Sequence, residues 1–166
     1  MVKSSINVLF VSYANVARSI LAEACLNQLG KGRFQAFSCG IPGQTGLAIP
    51  EPIFKVLKTA SITTTGLYSK SWGEFIRMGV PRMDFVISLD ATTVGQHPSW
   101  PGQPNTAVWG SPAVVVPDID DAKLTTISLQ AMYSLRRRLE LLVALPMHGT
   151  DRAALRGDIR DMAYMT

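Results

Sequence analysis

Cysteine and histidine are scarce in this sequence, with two of each among 166 residues. Cys25 and Cys39 can form one disulfide at most, and free thiols are expected in a chain that shows no export signal. His97 and Asp90 are the nearest approach to a metal pair. No third and fourth ligand follows at a usable spacing, so no metal and no other cofactor is expected. Long apolar runs are also missing: none nears the roughly 20 residues that span a bilayer. Met1–Ile6 carries a lysine and two serines, and Val8–Val11 is far too short for the core of a signal peptide. These absences predict a soluble, cytoplasmic protein with no membrane association. Charge is modest as well: 16 Lys+Arg against 12 Asp+Glu give +4. That excess suits an anionic ligand but is too small to argue for nucleic acid. The one basic run, Arg136-Arg137-Arg138, reads as a solvated helix face.

What is present is a hydrophobic share of 47% in a length suited to one domain. The chain carries no internal repeat or low-complexity tract. Ile6–Val11 is apolar and partly β-branched, a strand buried on both faces. Ser19 to Leu29 has helical spacing and stops at Gly30. Phe34–Ser38 and Asp84–Leu89 read as further strands, and Thr106–Trp109 as a weaker one. Pro50 to Ala60 and Ser71 to Arg77 read as helices, and Ser111 to Pro117 as an apolar loop or edge segment. From Asp120 to about Leu145 a long helix carries the stripe Leu124, Ile127, Ala131, Leu135, Leu139, Leu142 and Val143. Strands alternating with helices predict an α/β fold with a parallel sheet and helices on both faces. After Pro146 comes a charged tail, 147–166, expected as an extra, largely solvated helix that could pack through Leu155, Ile159 and Met162.

One stretch concentrates chemistry. Val8 to Val11, then Ser12-Tyr13-Ala14-Asn15-Val16-Ala17-Arg18-Ser19, then Ile20 to Ala24, reads as strand, tight loop and first helical turn. That order aims backbone N–H groups and a helix N-terminus at one point, where a negative charge is favoured. Arg18 could fork two N–H donors onto an oxyanion while the loop backbone supplies the rest.

The stretch resembles the phosphate-binding loop of the low-molecular-weight protein tyrosine phosphatases and the related thioredoxin-coupled arsenate reductases. That family carries Val-Leu-Phe-Val/Leu-Cys, five residues, Arg-Ser, and a helix opening near Met/Leu-Ala-Glu. Val8-Leu9-Phe10-Val11, Asn15, Arg18-Ser19 and Leu21-Ala22-Glu23 match. So do Ser38-Cys39-Gly40, Ser69-Lys70-Ser71, Glu74-Phe75 and Asp84-Phe85-Val86-Ile87, and the resemblance covers roughly Ile6 to Pro146. It implies a three-layer α/β/α fold on a central parallel four-stranded sheet over residues 1–146. It also implies an oxyanion ligand (phosphate, sulfate, arsenate or a phosphorylated protein side chain) held at Ser12 to Ser19.

The departures bear on reactivity. Ser12 stands where the family has its nucleophilic cysteine, and a serine hydroxyl attacks poorly without a neighbouring base. Asp90 and His97 stand where the reductases place two further cysteines, so a disulfide relay cannot run. The family's general acid falls on Asp118 if Val116-Pro117-Asp118 is matched to the phosphatase motif, and on no acid if the match is made on Trp109-Gly110. Tyr13, Trp72 and Trp100 are candidates for the site mouth. Cys39 reads as a packed thiol at a strand end, and Cys25 as core. The expectation is an oxyanion-binding, phosphatase-like protein with impaired turnover. The alternatives are an active phosphomonoester hydrolase using Ser12, Arg18 and Asp118, an engineered serine in place of cysteine, and a structural or regulatory module with an empty loop.

Overall fold

The computed structural model describes residues 5–110, 113–114, 118–147 and 152–165. Its centre is a four-stranded, fully parallel sheet: β1 (Ile6–Val11), β2 (Phe34–Cys39), β3 (Phe85–Ser88) and β4 (Asn105–Val108), in spatial order β2-β1-β3-β4. β1 lies inside the sheet, which is why its sequence is apolar at both phases of the alternation. Its last residue, Val11, sits opposite Cys39 on one side and Ser88 on the other. The residues just past β1 and β3 therefore emerge side by side at the carboxyl edge.

The two faces of the sheet are covered unequally. Val8 and Phe10 of β1, with Phe85 and Ile87 of β3, point into the larger core. That core includes residues of α1 (Arg18–Leu29), α2 (Glu51–Thr59), α3 (Asp121–Ala144) and α4 (Arg152–Asp161). Leu9, Val11 and Val86 point the other way, into a smaller cluster with Trp72, Phe75, Met83 and Trp100. Loops and a short 3₁₀ turn (Trp72–Phe75) supply that second layer, and a further such turn (Ala91–Gln96) follows β3. The helix expected over Ser71 to Arg77 is one such turn, capped by the Ser71 hydroxyl accepting from the Gly73 amide at 3.1 Å.

α1 lies between β1, β2 and α3, so it is buried nearly all round. The buried stripe of α3 is Leu124, Ser128, Met132, Leu135, Arg138, Leu139 and Leu142, whereas Ile127, Ala131 and Val143 are half-buried. The expected stripe is thus rotated toward two polar positions. Arg138 corrects the reading of the basic triplet as solvated: its guanidinium is covered, and Nη2 donates to the Met165 carbonyl at 2.9 Å. The tail explains this. α4 packs beside β4 through Leu155 and Ile159, with Met162 just beyond, and the buried indole of Trp109 donates to the Ile159 carbonyl at 2.8 Å. Most of Ser111 to Pro117 lies outside the described residues, but within it Val114 is buried in the larger core.

Candidate oxyanion site

Ser12 is the first residue beyond β1, and its amide still follows the sheet, donating to the Cys39 carbonyl at 3.1 Å. The chain then turns sharply enough to place Asn15 in the left-handed region, with φ of 56°. Asparagine tolerates that conformation better than most residues, and its side chain fixes the turn. Asn15 is fully buried; Nδ2 donates to Ser19 Oγ at 2.7 Å and to Ser38 Oγ at 2.9 Å, and Oδ1 accepts from the Lys70 amide at 3.0 Å. Ser19 Oγ in turn lies 2.5 Å from Ser12 Oγ.

The loop's carbonyls are tied to the scaffold. Tyr13 O accepts from the Ile41 amide at 2.9 Å, and Ala14 O from the Ser69 hydroxyl at 2.8 Å. Acceptors held this way do not compete for the anion that a ring of amides would attract. Gly40 makes the close approach possible: a Cβ there would lie 2.8 Å from Tyr13 O and 3.1 Å from the Ala14 carbonyl carbon. Behind the loop Ser38 Oγ donates to Glu23, and Lys70 Nζ reaches Glu23 Oε1 at 3.5 Å and the Tyr68 carbonyl at 2.9 Å. Burial raises the Glu23 carboxyl above its ordinary value, with Lys70 and Ser38 pulling the other way.

Ser12 to Arg18, Leu47, Asp90 and Ala113 line a cavity of about 330 Å³. Tyr13 is half exposed at its mouth. Trp72 and Trp100 do not line it; they are buried in the smaller core, edge-on to one another and to His97. Arg18, at the first turn of α1, is 9% exposed. Its Nη1 donates to the Leu89 carbonyl at 3.0 Å and its Nη2 to Asp90 Oδ2 at 3.0 Å.

Asp90, which the sequence offers only as half of a metal pair or at a reductase cysteine position, is brought by the fold to the cavity wall beside Arg18. It stands two residues beyond β3, where Ser12 is the first beyond β1, and its Oδ1 caps the next 3₁₀ turn, accepting from the Thr92 amide at 3.1 Å and the Thr92 hydroxyl at 2.6 Å. Burial pushes its carboxyl up, but the Thr92 hydrogen bonds and the Arg18 charge outweigh that and hold it below its ordinary value. An acidic cap shortly after a strand was the available signal; the partner, 72 residues away, was not. His97 is directed elsewhere, with Nε2 3.2 Å from Thr93 Oγ1 and its proton affinity lowered by burial. Among the described residues no three His, Cys, Asp or Glu side chains cluster as a metal site would require. Burial pushes both cysteine thiols up, so neither Cys25 nor Cys39 is poised as a thiolate. Asp118 is exposed, with φ of 63°, and is not among the residues lining the cavity; Val116 and Pro117 lie outside the described residues, as does His148.

No helix among the described residues is long and apolar enough to cross a membrane. Residues 7–108 match the profile of the low molecular weight phosphotyrosine protein phosphatases. The low molecular weight protein-tyrosine-phosphatase YfkJ of Bacillus subtilis is 31% identical over 108 residues, 61% of this chain and 67% of that protein. Among solved structures, an arsenate reductase in its phosphate-binding state superimposes with a TM-score of 0.67 at 24% identity, over 84% of this chain and 97% of the other. The tyrosine phosphatase Wzb from Escherichia coli K30, in complex with sulphate, does so with a TM-score of 0.60 at 16% identity, over 81% and 96%. Of these two neighbours, one is thus seen in a phosphate-binding state and the other with sulphate.

Proposed function

Because the chain belongs to the low molecular weight phosphotyrosine protein phosphatase family, we propose that Ser12 to Ser19 binds a tetrahedral oxyanion with turnover impaired by Ser12. The observation that carries this is the braced loop, with the Arg18 guanidinium and the N-terminus of α1 bordering one cavity. Phosphate, arsenate, or the phosphoryl group of a phosphorylated protein in the cytoplasm are the ligands of this reading.

In it, Ser12 takes the place of the family's cysteine. A thiolate forms readily beside an arginine and a helix N-terminus, whereas a hydroxyl needs a base to take its proton as it attacks. Asn15 donates to Ser19, leaving the Ser19 proton able to point at Ser12 Oγ. That arrangement would stabilise a thiolate but offers the serine proton no destination. Neither histidine nor carboxylate contacts Ser12 among the described hydrogen bonds. Asp118 is the proposed general acid of an active form, able to protonate a leaving group only if it reaches the cavity.

The test is hydrolysis of an aryl phosphate by the protein and by Ser12→Cys. The reading expects negligible turnover from the unaltered chain and activity on introducing cysteine, lost again when Asp118→Asn is added. Robust turnover by the unaltered chain would refute the impairment. Calorimetric titration with phosphate, with Arg18→Ala as control, tests the cradle; absence of binding to the unaltered chain would leave a structural module with an empty loop.

A further inference from the structure

The cavity contains a carboxylate as well as a guanidinium, and the two oppose each other. Of the described lining residues, Arg18 and Asp90 carry the formal charges, and at 3.0 Å they largely cancel. What remains for an anion is the partial positive charge of the loop amides and the α1 N-terminus, about half an elementary charge for the latter. A dianion entering there gains little net attraction and meets a like charge. Asp90 also retains acceptor capacity. An ionised carboxylate offers about four lone-pair positions, and Oδ1 receives two hydrogen bonds from Thr92 while Oδ2 receives one from Arg18. The remaining position is an acceptor at the edge of an oxyanion cavity, where an acceptor is useful only to a ligand that brings a proton.

We propose that Asp90 is a specificity-determining residue that selects singly charged, protonated oxyanions, the phosphoryl monoanion above all, and rejects fully ionised ones such as sulfate. The selection rests on the reading of the loop as an oxyanion site. The ligand's P–OH donates to Asp90 while its unprotonated oxygens take the loop amides and Arg18. Sulfate has the same shape and size but no proton to give, so it leaves Asp90 facing an oxygen lone pair. One charge-assisted hydrogen bond gained against one such contact corresponds to about tenfold to a hundredfold in affinity.

The experiment is isothermal titration of the full chain at pH 5.5 with inorganic phosphate, phenyl phosphate and sulfate, repeated on Asp90→Asn and Asp90→Ser. Both replacements retain a side-chain cap for the 3₁₀ turn while removing the charge. Phosphate is expected to bind at least tenfold tighter than sulfate to the unaltered chain. In both variants the ratio should fall toward unity, chiefly by a gain in sulfate affinity. Phenyl phosphate run beside the free ion tells an ester-borne phosphoryl group from inorganic phosphate as the source. Selectivity over sulfate in either arm that falls in both variants supports the proposal. Sulfate binding as tightly as both phosphates, or a ratio unmoved in the variants, overturns the role of Asp90 while leaving the oxyanion site standing. Failure of all three anions to bind the unaltered chain overturns both.

Discussion

Replacing Asn15 by alanine is the sharpest test of how the loop is held. Three hydrogen bonds are lost at a fully buried position. The Lys70 amide is left without its acceptor, at about 1–3 kcal/mol, and the two donations to Ser19 and Ser38 are worth about 0.5–1.5 kcal/mol each. Alanine must also adopt the φ of 56° that asparagine holds, adding roughly 1–2 kcal/mol. The lower ends of these ranges total about 3 kcal/mol, a large part of the 5–15 kcal/mol typical of a domain. At roughly 2–4 °C per kcal/mol for this chain length, the melting temperature should fall by at least about 6 °C. Urea denaturation followed by circular dichroism gives the free energy directly. Asn15→Gly loses the same hydrogen bonds without the strain, offset by about 0.4–1 kcal/mol of unfolded-state entropy. It should therefore lie level with alanine or up to about 1.5 kcal/mol above it. A loss under about 1 kcal/mol in Asn15→Ala would refute the claim that this side chain sets the turn.

Other consequences can be checked with the same tools. Gly40→Ala drives a Cβ into the backbone of Tyr13 and Ala14; overpacking of this kind costs about 1–3 kcal/mol, and phosphate affinity should fall with it, whereas Gly110→Ala, with open space around it, should change neither. Glu23 and Asp90 give opposite pH signatures in denaturation measured from pH 3 to 7.5. Glu23 titrates above its ordinary 4.5 in the folded chain, so the advantage of the unaltered protein over Glu23→Gln is fullest below that pH and shrinks as pH rises through the folded value. Asp90 titrates below its ordinary 3.8, so the advantage over Asp90→Asn is present above that pH and lost as pH falls through the folded value; a reversed slope would contradict the dominance of burial at Glu23 or of the Thr92 and Arg18 contacts at Asp90.

The loop was legible in the sequence because its determinants are local. Strand, turn and helix follow one another directly in the chain, and Ser12 and Asn15 both meet Ser19 within it, whereas the reach of Asn15 to Ser38 and Lys70 and of Arg18 to Leu89 and Asp90 crosses the fold. The parallel sheet was legible for a similar reason, since Val8-Leu9-Phe10-Val11 and Phe85-Val86-Ile87 are apolar at both phases of the alternation. Asp90 was not, because its meaning depends on β1 and β3 lying side by side, a pairing across 77 residues at Val8 and Phe85. Arg138 differs for a related reason: a basic triplet looks solvated until the chain beyond α4 reaches one member and the Met165 carbonyl accepts its hydrogen bond. Trp72 and Trp100 look like site-mouth aromatics from their neighbourhood, yet among the described residues the second face of the sheet is covered by loops and a short 3₁₀ turn, which bring them into its core instead.

The brace behind the loop separates two properties that a binding site usually shares. Its shape is kept by Asn15, Ser38, Ser69, Lys70 and Gly40, through contacts made wholly within the protein. Little chain entropy then remains to be lost on binding, so the free and liganded loops should superimpose. The same separation makes the geometry indifferent to the reactivity of its first residue. Ser12 contributes one hydroxyl contact to the frame, and a thiol in its place would inherit the same amides and the same arginine. A frame of this kind can gain or lose chemistry by one substitution while its ligand remains recognisable to it.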